Sequence, residues 1–314
     1  MDLSIIIVSW NTKHLLEQCL RSVEEQLETF KPSAAGPRSN ACPERSRRVE
    51  TFVVDNASTD GSAAMVRQHF PEVHLLQNDE NLGFAAANNQ GIRQSTGRYI
   101  LLLNSDTKVH EDTLTSIVRF FDQVPTAGVV GARLLNPDST LQYYPTKTLT
   151  LIRLLTMLWR LPGHQSLWRG VTGAERPRLV ERVKGACMAL RRSAVEHVGL
   201  MAEDFFLYAE EDDWCLRFLR SSWDIYYLPS ATVTHQGAAS TRQMTAQARI
   251  HLYQSRVAYL RRHFGRLQAI LYKIAVASTY LGKLLQCQLL RLTRKGCRGG
   301  PDTYRDLIRA LRNA

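Results

Sequence analysis

Leu101-Leu102-Leu103-Asn104-Ser105-Asp106-Thr107 decides how this chain folds. An apolar run stops at one acidic residue. Led by Tyr99 and Ile100, the run reads as a buried strand that carries a carboxylate to the edge of a sheet. In open α/β sheets, ligands sit beyond the carboxyl ends of the strands. Asp106 is therefore expected where a metal ion or a phosphate-bearing ligand would be held.

Working outward, apolar runs predict strands over residues 4–9, 51–54, 73–77 and 99–103. Between them lie helices over 13–27, 62–70 and 83–95. The first shows the helical period at Leu15, Leu16, Cys19, Leu20, Val23 and Leu27. This alternation implies an α/β fold with a mostly parallel central sheet flanked by helices. Residues 31–48 (KPSAAGPRSNACPERSRR) break the rhythm. Helix-to-strand connections usually take about 2–6 residues, so this stretch reads as a surface insertion, disordered, with a basic docking loop as the functional alternative.

Three polar strand ends then share one rim: Ser9-Trp10-Asn11, Asp55-Asn56-Ala57-Ser58 and Asn104-Ser105-Asp106. Asp and Asn also cap helices after strands. That alone can account for Asn56 or Asp60, but three such ends at once favour a site.

Composition sets outer bounds. The 314 residues are 44% hydrophobic, enough for a sizeable core. The N-terminus shows no basic, apolar and small-residue signal pattern, so a cytoplasmic location is expected. The cysteines Cys19, Cys42, Cys187, Cys215, Cys287 and Cys297 show no CxxC and no ligand spacing, and reduced thiols are expected. Charge is uneven. Residues 241–314 carry 15 Lys+Arg against 2 Asp+Glu, while residues 1–240 carry 25 against 27. A near-neutral body with a basic tail points to an anionic partner surface.

In the second half, Glu210-Glu211-Asp212-Asp213 lie between apolar residues. Four acids in a row are costly to pack unless partnered or solvated, though a helix start would favour them. Residues 226–237 read as a strand ending at His235. Residues 149–161 form an apolar helix with Arg153 and Arg160 on one face. Residues 266–295 form a basic helix carrying Arg266, Lys273, Arg291 and Lys295 on one side. Lysines interrupt its apolar residues, so it does not span a bilayer. It either lies on a membrane face or docks on the body with its cations outward.

Three segments carry a specific resemblance. They are Ser4 through Asn11, then Val53-Val54-Asp55-Asn56-Ala57-Ser58-Thr59-Asp60-Gly61-Ser62, then Asn81-Leu82-Gly83-Phe84-Ala85-Ala86-Ala87-Asn88-Asn89. With Leu103-Asn104-Ser105-Asp106 following, the chain resembles the family 2 glycosyltransferases from residue 3 to about 240. It is most similar to their rhamnosyltransferase branch, which builds bacterial surface polysaccharides. The resemblance implies a nucleotide-diphospho-sugar transferase fold of the GT-A type and an inverting displacement that needs Mg2+ or Mn2+. It implies a catalytic domain over residues 1–240 and a basic helical extension over 241–314.

The resemblance also implies roles. Asp106 and His235, in Val233-Thr234-His235-Gln236-Gly237, match metal or diphosphate contacts. Asn104 stands where the general family pattern has an Asp, which leaves Asp106 as the one carboxylate of that motif. Ser9, Asn11, Asp55 and Asn56 match residues that hold the nucleotide. Gly83, Phe84 and Asn88 match the loop and helix start beside the donor, and Asn104 and Ser105 belong to the same donor-side set. Gly185 and Ala186 match a pair near the donor sugar. Glu210-Glu211 matches the acidic pair that supplies the general base, with Glu211 the base, Glu210 beside it and Asp213 the runner-up. Residues 238–241 match a loop that closes on the donor. The partners implied are a dTDP- or UDP-sugar and a glycan or lipid-linked acceptor, with peripheral membrane contact through the basic helix and no specific nucleic acid. A nucleotidyltransferase would want a basic Gly-rich signature after the first strand, where this chain has Ser9-Trp10-Asn11-Thr12. A non-catalytic binder of polysaccharide or nucleic acid would be favoured only by loss of these positions.

Overall fold

The structure, a computed structural model, describes residues 1–30, 49–142, 144, 146–161, 173–237, 245–292, 306 and 308–310. The expectations for 31–48 and for 238–241 lie outside the described residues.

Nine strands form one sheet among the described residues. They are β1 (Leu3–Ser9), β2 (Val49–Asp55), β3 (His74–Gln77), β4 (Tyr99–Asn104), β5 (Thr107–Val109), β6 (Ala127–Leu135), β7 (Arg178–Leu179), β8 (Cys187–Arg191) and β9 (Asp224–His235). Their order is β3-β2-β1-β4-β8-β6-β9-β5, with β7 beside β9. The helices are α1 (Lys13–Thr29), α2 (Ser62–His69), α3 (Phe84–Gln94), α4 (Thr113–Gln123), α5 (Leu151–Leu158), α6 (Arg192–Val198), α7 (Glu210–Arg220), α8 (Thr245–Phe264) and α9 (Arg266–Leu292).

β1 to β4 are parallel, as the alternation predicts. The rest is not. β8 starts where β4 ends and runs back beside it, pairing Cys187 with Leu103. It is antiparallel to β6 as well, and β9 is antiparallel to β5 and β7 but parallel to β6. The sheet is therefore mixed, with four parallel and four antiparallel pairings rather than a parallel majority.

Apolar runs rather than alternation mark β1 and β4 because both faces of the sheet are covered. Ile5, Ile7, Leu101 and Leu103 pack toward Leu16, Leu20, Ile117 and Phe121 on one side. Ile6, Ile100 and Leu102 pack toward Ile92, Trp214 and Phe218 on the other. At Gly91 of α3 a Cβ would lie 2.6 Å from Ile6, so only glycine lets this helix sit so close to the sheet.

A third core joins the C-terminal helices to the body. Tyr253, Val257 and Leu260 of α8 and Tyr272, Val276 and Tyr280 of α9 cluster with Leu154 of α5 and with Phe205. The boundary set at residue 240 thus separates chain segments, not packing units. α5 ends at Leu158, and Arg160 lies beyond it at φ 50°, so Arg153 and Arg160 do not share a helical face. Arg153 instead donates to Thr148 O and pairs with Glu181. Cys19, Cys187 and Cys215 are free and buried, their thiols pushed up to about 12 by burial. Cys287 is disulfide-bonded, so reduced thiols do not hold for it. Spacing rules detect metal-type motifs and are blind to other pairings.

Candidate active site

Register builds the rim. Ser9 pairs with Asp55, and Val8 with Asn104, so three strands end level with one another. β8 arrives from the other direction, and Asn104 N donates to Ala186 O at 3.0 Å. β9 brings His235 opposite Thr107, and Gln236 N donates to Asp106 O at 2.9 Å. Residues from both halves of the chain thereby surround one cavity of about 310 Å³.

Asn56, Gly83, Phe84, Asn104, Ser105 and Asp106 line this cavity from the first half. Gly185, Ala186, Glu210, Glu211 and His235 line it from the second. Five other residues singled out in the sequence, Ser9, Asn11, Asp55, Asn88 and Asp213, are not among those that line it. Ser9 is buried in a hydroxyl chain, hydrogen-bonded to Thr12 at 3.0 Å, with Thr12 hydrogen-bonded to Ser105 at 2.9 Å. Asn11 Oδ1 accepts from Thr59 N at 2.8 Å, tying the first rim loop to the second. Asp55 is fully buried; one oxygen accepts from Ser58 N, and Oδ1 has no hydrogen-bond partner among the described residues. Asn88 Nδ2 donates to Phe84 O within its own helix. Asp213 is held elsewhere, as described below. Asp60 is a cap, accepting from Ser62 N and Lys13 N.

Asn56 organises the loop before α3. Its Nδ2 donates to Asn81 Oδ1 at 2.8 Å, and its Oδ1 accepts from Leu82 N and Asn78 Nδ2. Gly83 follows at φ 85°, where a Cβ would lie 2.6 Å from Phe206 O. That approach lets Phe84 N donate to Phe206 O at 3.1 Å. Around the rim, Asn11, Ala57, Tyr208 and Ala209 all adopt positive φ. Such conformations cost of order 1–3 kcal/mol each and cluster where a site must be shaped.

The four acids of α7 divide their tasks. Asp212 ion-pairs with buried Arg182, whose guanidinium also lies 3.9 Å from Glu211 Oε1. Asp213, fully buried, accepts from Arg217 Nε at 2.9 Å, Arg262 at 3.2 Å and His263 Nε2 at 2.7 Å. Glu210 and Glu211 face the cavity, and each has an Oε2 buried without a hydrogen-bond partner among the described residues. Burial, and then the neighbouring Glu211, pushes the Glu210 carboxyl well above the usual carboxylate range. Burial and Asp212 push Glu211 up, while Arg182 draws it partly back. A raised carboxylate that is still held near cations suits proton acceptance close to neutrality.

His235 Nε2 lies 3.3 Å from Asp106 Oδ1, and its Nδ1 donates to Gln142 Oε1 at 2.7 Å. Two ligands bound side by side to an octahedral Mg2+ at about 2.1 Å stand roughly 3 Å apart, so this pair fits one ion. Asn104 Nδ2 lies 3.5 Å from His235 Nε2, and Asn104 Oδ1 is buried without a hydrogen-bond partner among the described residues. No group of three or more His, Cys, Asp or Glu is placed to hold an ion among the described residues. Such sparse protein ligation is usual where substrate phosphates and water complete the shell.

Several wall residues carry no flag in the sequence. Lys184 lines the cavity, its ammonium pulled down by burial against the pull of Glu211 and Asp106. Phe206 and Tyr208 line it beside the acids, and Trp10 beside Ser9. Ala248 and His251 come from α8, and the His251 ring lies 4.9 Å from that of Phe206. Nothing in the sequence marks a mid-helix histidine in a basic tail as part of a cavity.

A family model, Glycosyl transferase family 2, matches residues 4–199. An N-acetylglucosaminyl-diphospho-decaprenol L-rhamnosyltransferase of Mycobacterium tuberculosis is 29% identical over 238 residues, 70% of this chain and 77% of that protein. A low-salt glycan biosynthesis hexosyltransferase of Haloferax volcanii is 25% identical over 258 residues, 80% of this chain and 72% of that protein. Among solved structures, a Pyrobaculum calidifontis mannosyltransferase in complex with GDP-Man and Mn2+ superposes with a TM-score of 0.53 at 18% identity, over 98% of this chain and 84% of that one. At that identity the likeness speaks for the fold, the GT-A architecture.

Proposed function

Because the chain belongs to glycosyl transferase family 2 and is a glycosyltransferase, we propose that it moves rhamnose or another hexose from a dTDP- or UDP-linked donor to a hydroxyl of a lipid-linked or cell-surface glycan, inverting the anomeric carbon. The observation that carries this reading is one cavity holding the Asp106–His235 pair and a raised, cavity-facing Glu211.

The roles follow from placement. Asn56, with Asp55 behind it, orders the loop that receives the nucleotide. Asp106 and His235 would hold Mn2+ or Mg2+. When bound, the ion supplies neutralisation of the diphosphate's growing charge. Glu211 accepts the proton of the acceptor hydroxyl. The acceptor oxygen then bonds to the anomeric carbon as the bond to the diphosphate oxygen breaks, and the nucleoside diphosphate leaves with that electron pair. Glu210 keeps the pocket acidic beside the base. Asp213 braces α7 against α8 and does not reach the reacting atoms.

The acceptor reading brings a surface with it. α9 buries one face against the body and turns Leu267, Ile270, Leu271, Ile274, Leu281 and Leu285 outward, each 46–69% exposed. Ile152 and Trp159 extend this strip from the α5 segment, and Trp159 Nε1 donates to Thr279 of α9. Arg266, Lys273 and Lys283 flank it, with no acid in α9. An outward apolar stripe with basic flanks fits peripheral contact with an anionic bilayer, where a lipid-linked acceptor would be met. No helix among the described residues is long and apolar enough to cross a membrane.

Thermal-shift screening of dTDP, UDP and GDP sugars with and without Mn2+ tests the donor class. One nucleotide should raise Tm, more so with Mn2+. Transfer to polyprenyl-diphospho-N-acetylglucosamine, read by mass, tests the acceptor. Absence of any nucleotide-dependent shift would overturn the reading.

A further inference from the structure

The turn after β6 delivers Gln142 to the rim, its N–H donating to Leu134 O at 2.8 Å. Its side-chain amide is fully engaged. Nε2 donates to Asn136 Oδ1 at 3.0 Å and to His235 O at 3.3 Å. Oε1 accepts from Lys184 Nζ at 3.1 Å and from His235 Nδ1 at 2.7 Å.

This set has one solution. An ammonium carries only donors, so the amide atom beside Lys184 is the oxygen. The two oxygens on the other side require the NH2. An oxygen that faces His235 Nδ1 can only accept, so Nδ1 carries a proton. In the neutral ring the bare nitrogen is then Nε2, which lies 3.3 Å from Asp106 Oδ1. Asn104 Nδ2, a donor, sits 3.5 Å from the same nitrogen and agrees with a lone pair there.

We propose that Gln142 is a positioning residue: with its amide oriented by Lys184, it locks His235 as the Nδ1–H tautomer and turns a bare Nε2 toward the cavity beside Asp106. The consequence for a divalent cation rests on the reading of Asp106 and His235 as its ligands. The tautomer lock itself does not. Imidazole binds metal through a deprotonated nitrogen, and the group hydrogen-bonded to the other nitrogen decides which one that is.

The test is two-bond 1H–15N NMR of histidine-labelled protein above neutral pH, with the His235 signal identified by its loss in His235→Gln. Wild-type protein should show the Nδ1–H pattern; an Nε2–H pattern overturns the proposal without any variant at position 142. Gln142→Leu should lose the tautomer preference and weaken Mn2+ binding in the presence of dTDP by about 10–100-fold, read by electron paramagnetic resonance. Gln142→Glu keeps an acceptor for His235 Nδ1 and Lys184 but loses the donors to Asn136 Oδ1 and His235 O, so it should keep the Nδ1–H pattern that Gln142→Leu loses; loss of that pattern in both variants alike would overturn the role given to the acceptor oxygen. Unchanged tautomer and Mn2+ affinity in Gln142→Leu would overturn the lock. A wild-type protein with the Nδ1–H pattern but no Mn2+ binding would overturn the metal reading while leaving the lock standing.

Discussion

Asp213→Ala separates bracing from chemistry at the acidic helix. Asp213 is fully buried and accepts from three cationic or potentially cationic partners on two helices. Removing one partner of a buried charge cluster costs about 3–5 kcal/mol, because the others are left uncompensated. Arg262 is 37% exposed and can rehydrate, so its share is discounted for solvent screening. His263 is only 3% exposed along its side chain and would keep its packing. The lower end, about 3 kcal/mol, is therefore expected. At about 2.1 cal/mol/K per residue, 314 residues carry an unfolding entropy of about 0.66 kcal/mol/K. If the chain unfolds in one step, Tm should fall by about 4–5 °C. The assay is calorimetric melting, with nucleotide affinity and transfer rate measured well below Tm. Both should stay within a few-fold of wild type. An unchanged Tm with a rate loss of about 100-fold or more would refute this reasoning and make Asp213 the base.

Other perturbations probe the same site. Glu210→Gln should raise Tm at neutral pH. The folded-state value of Glu210 is raised, so its favourable contribution is present below the ordinary carboxylate range and lost as pH rises through the raised value; the gain should vanish in acid. The acid limb of kcat/KM should lie above the usual carboxylate value, because Glu211 is raised by burial; a limb at or below about 4.3, the unperturbed value, would contradict that. Gly83→Ala should cost about 1–3 kcal/mol, because φ 85° with ψ 172° is a conformation essentially reserved for glycine, and raise the donor KM by pushing on Phe206, checked by melting and kinetics. Ile270→Glu with Ile274→Glu should cut flotation with anionic vesicles at least about tenfold, since about 1.4 kcal/mol suffices, while transfer to a soluble acceptor stays unchanged.

Much of the fold was legible because it is locally written. The runs in β1 and β4 are apolar on both faces, and α1 keeps its period, so type and order follow from short windows. The mixed half was not legible, since the direction of β8 depends on where a distant segment re-enters the sheet. At the site, the strand ends pointed to Asp106 and Asn56, both of which line the cavity, because a polar residue that halts an apolar run has few bland explanations. Ser9, Asn11 and Asp55 carry the same local signature yet do not line the cavity. The acids of α7 look alike in sequence and differ only in what α8 places beside them. Lys184 and His251 reach the cavity, and Gln142 reaches Lys184 and His235, through tertiary packing, and none bears a local mark.

The most direct measurement compares Glu211→Gln with wild type in single-turnover transfer and in donor binding with Mn2+. Donor affinity should hold within a few-fold, while the transfer step slows by about 100- to 10,000-fold. Transfer at the wild-type rate, with donor affinity intact, would contradict the assignment of Glu211 as the base of this glycosyl transfer.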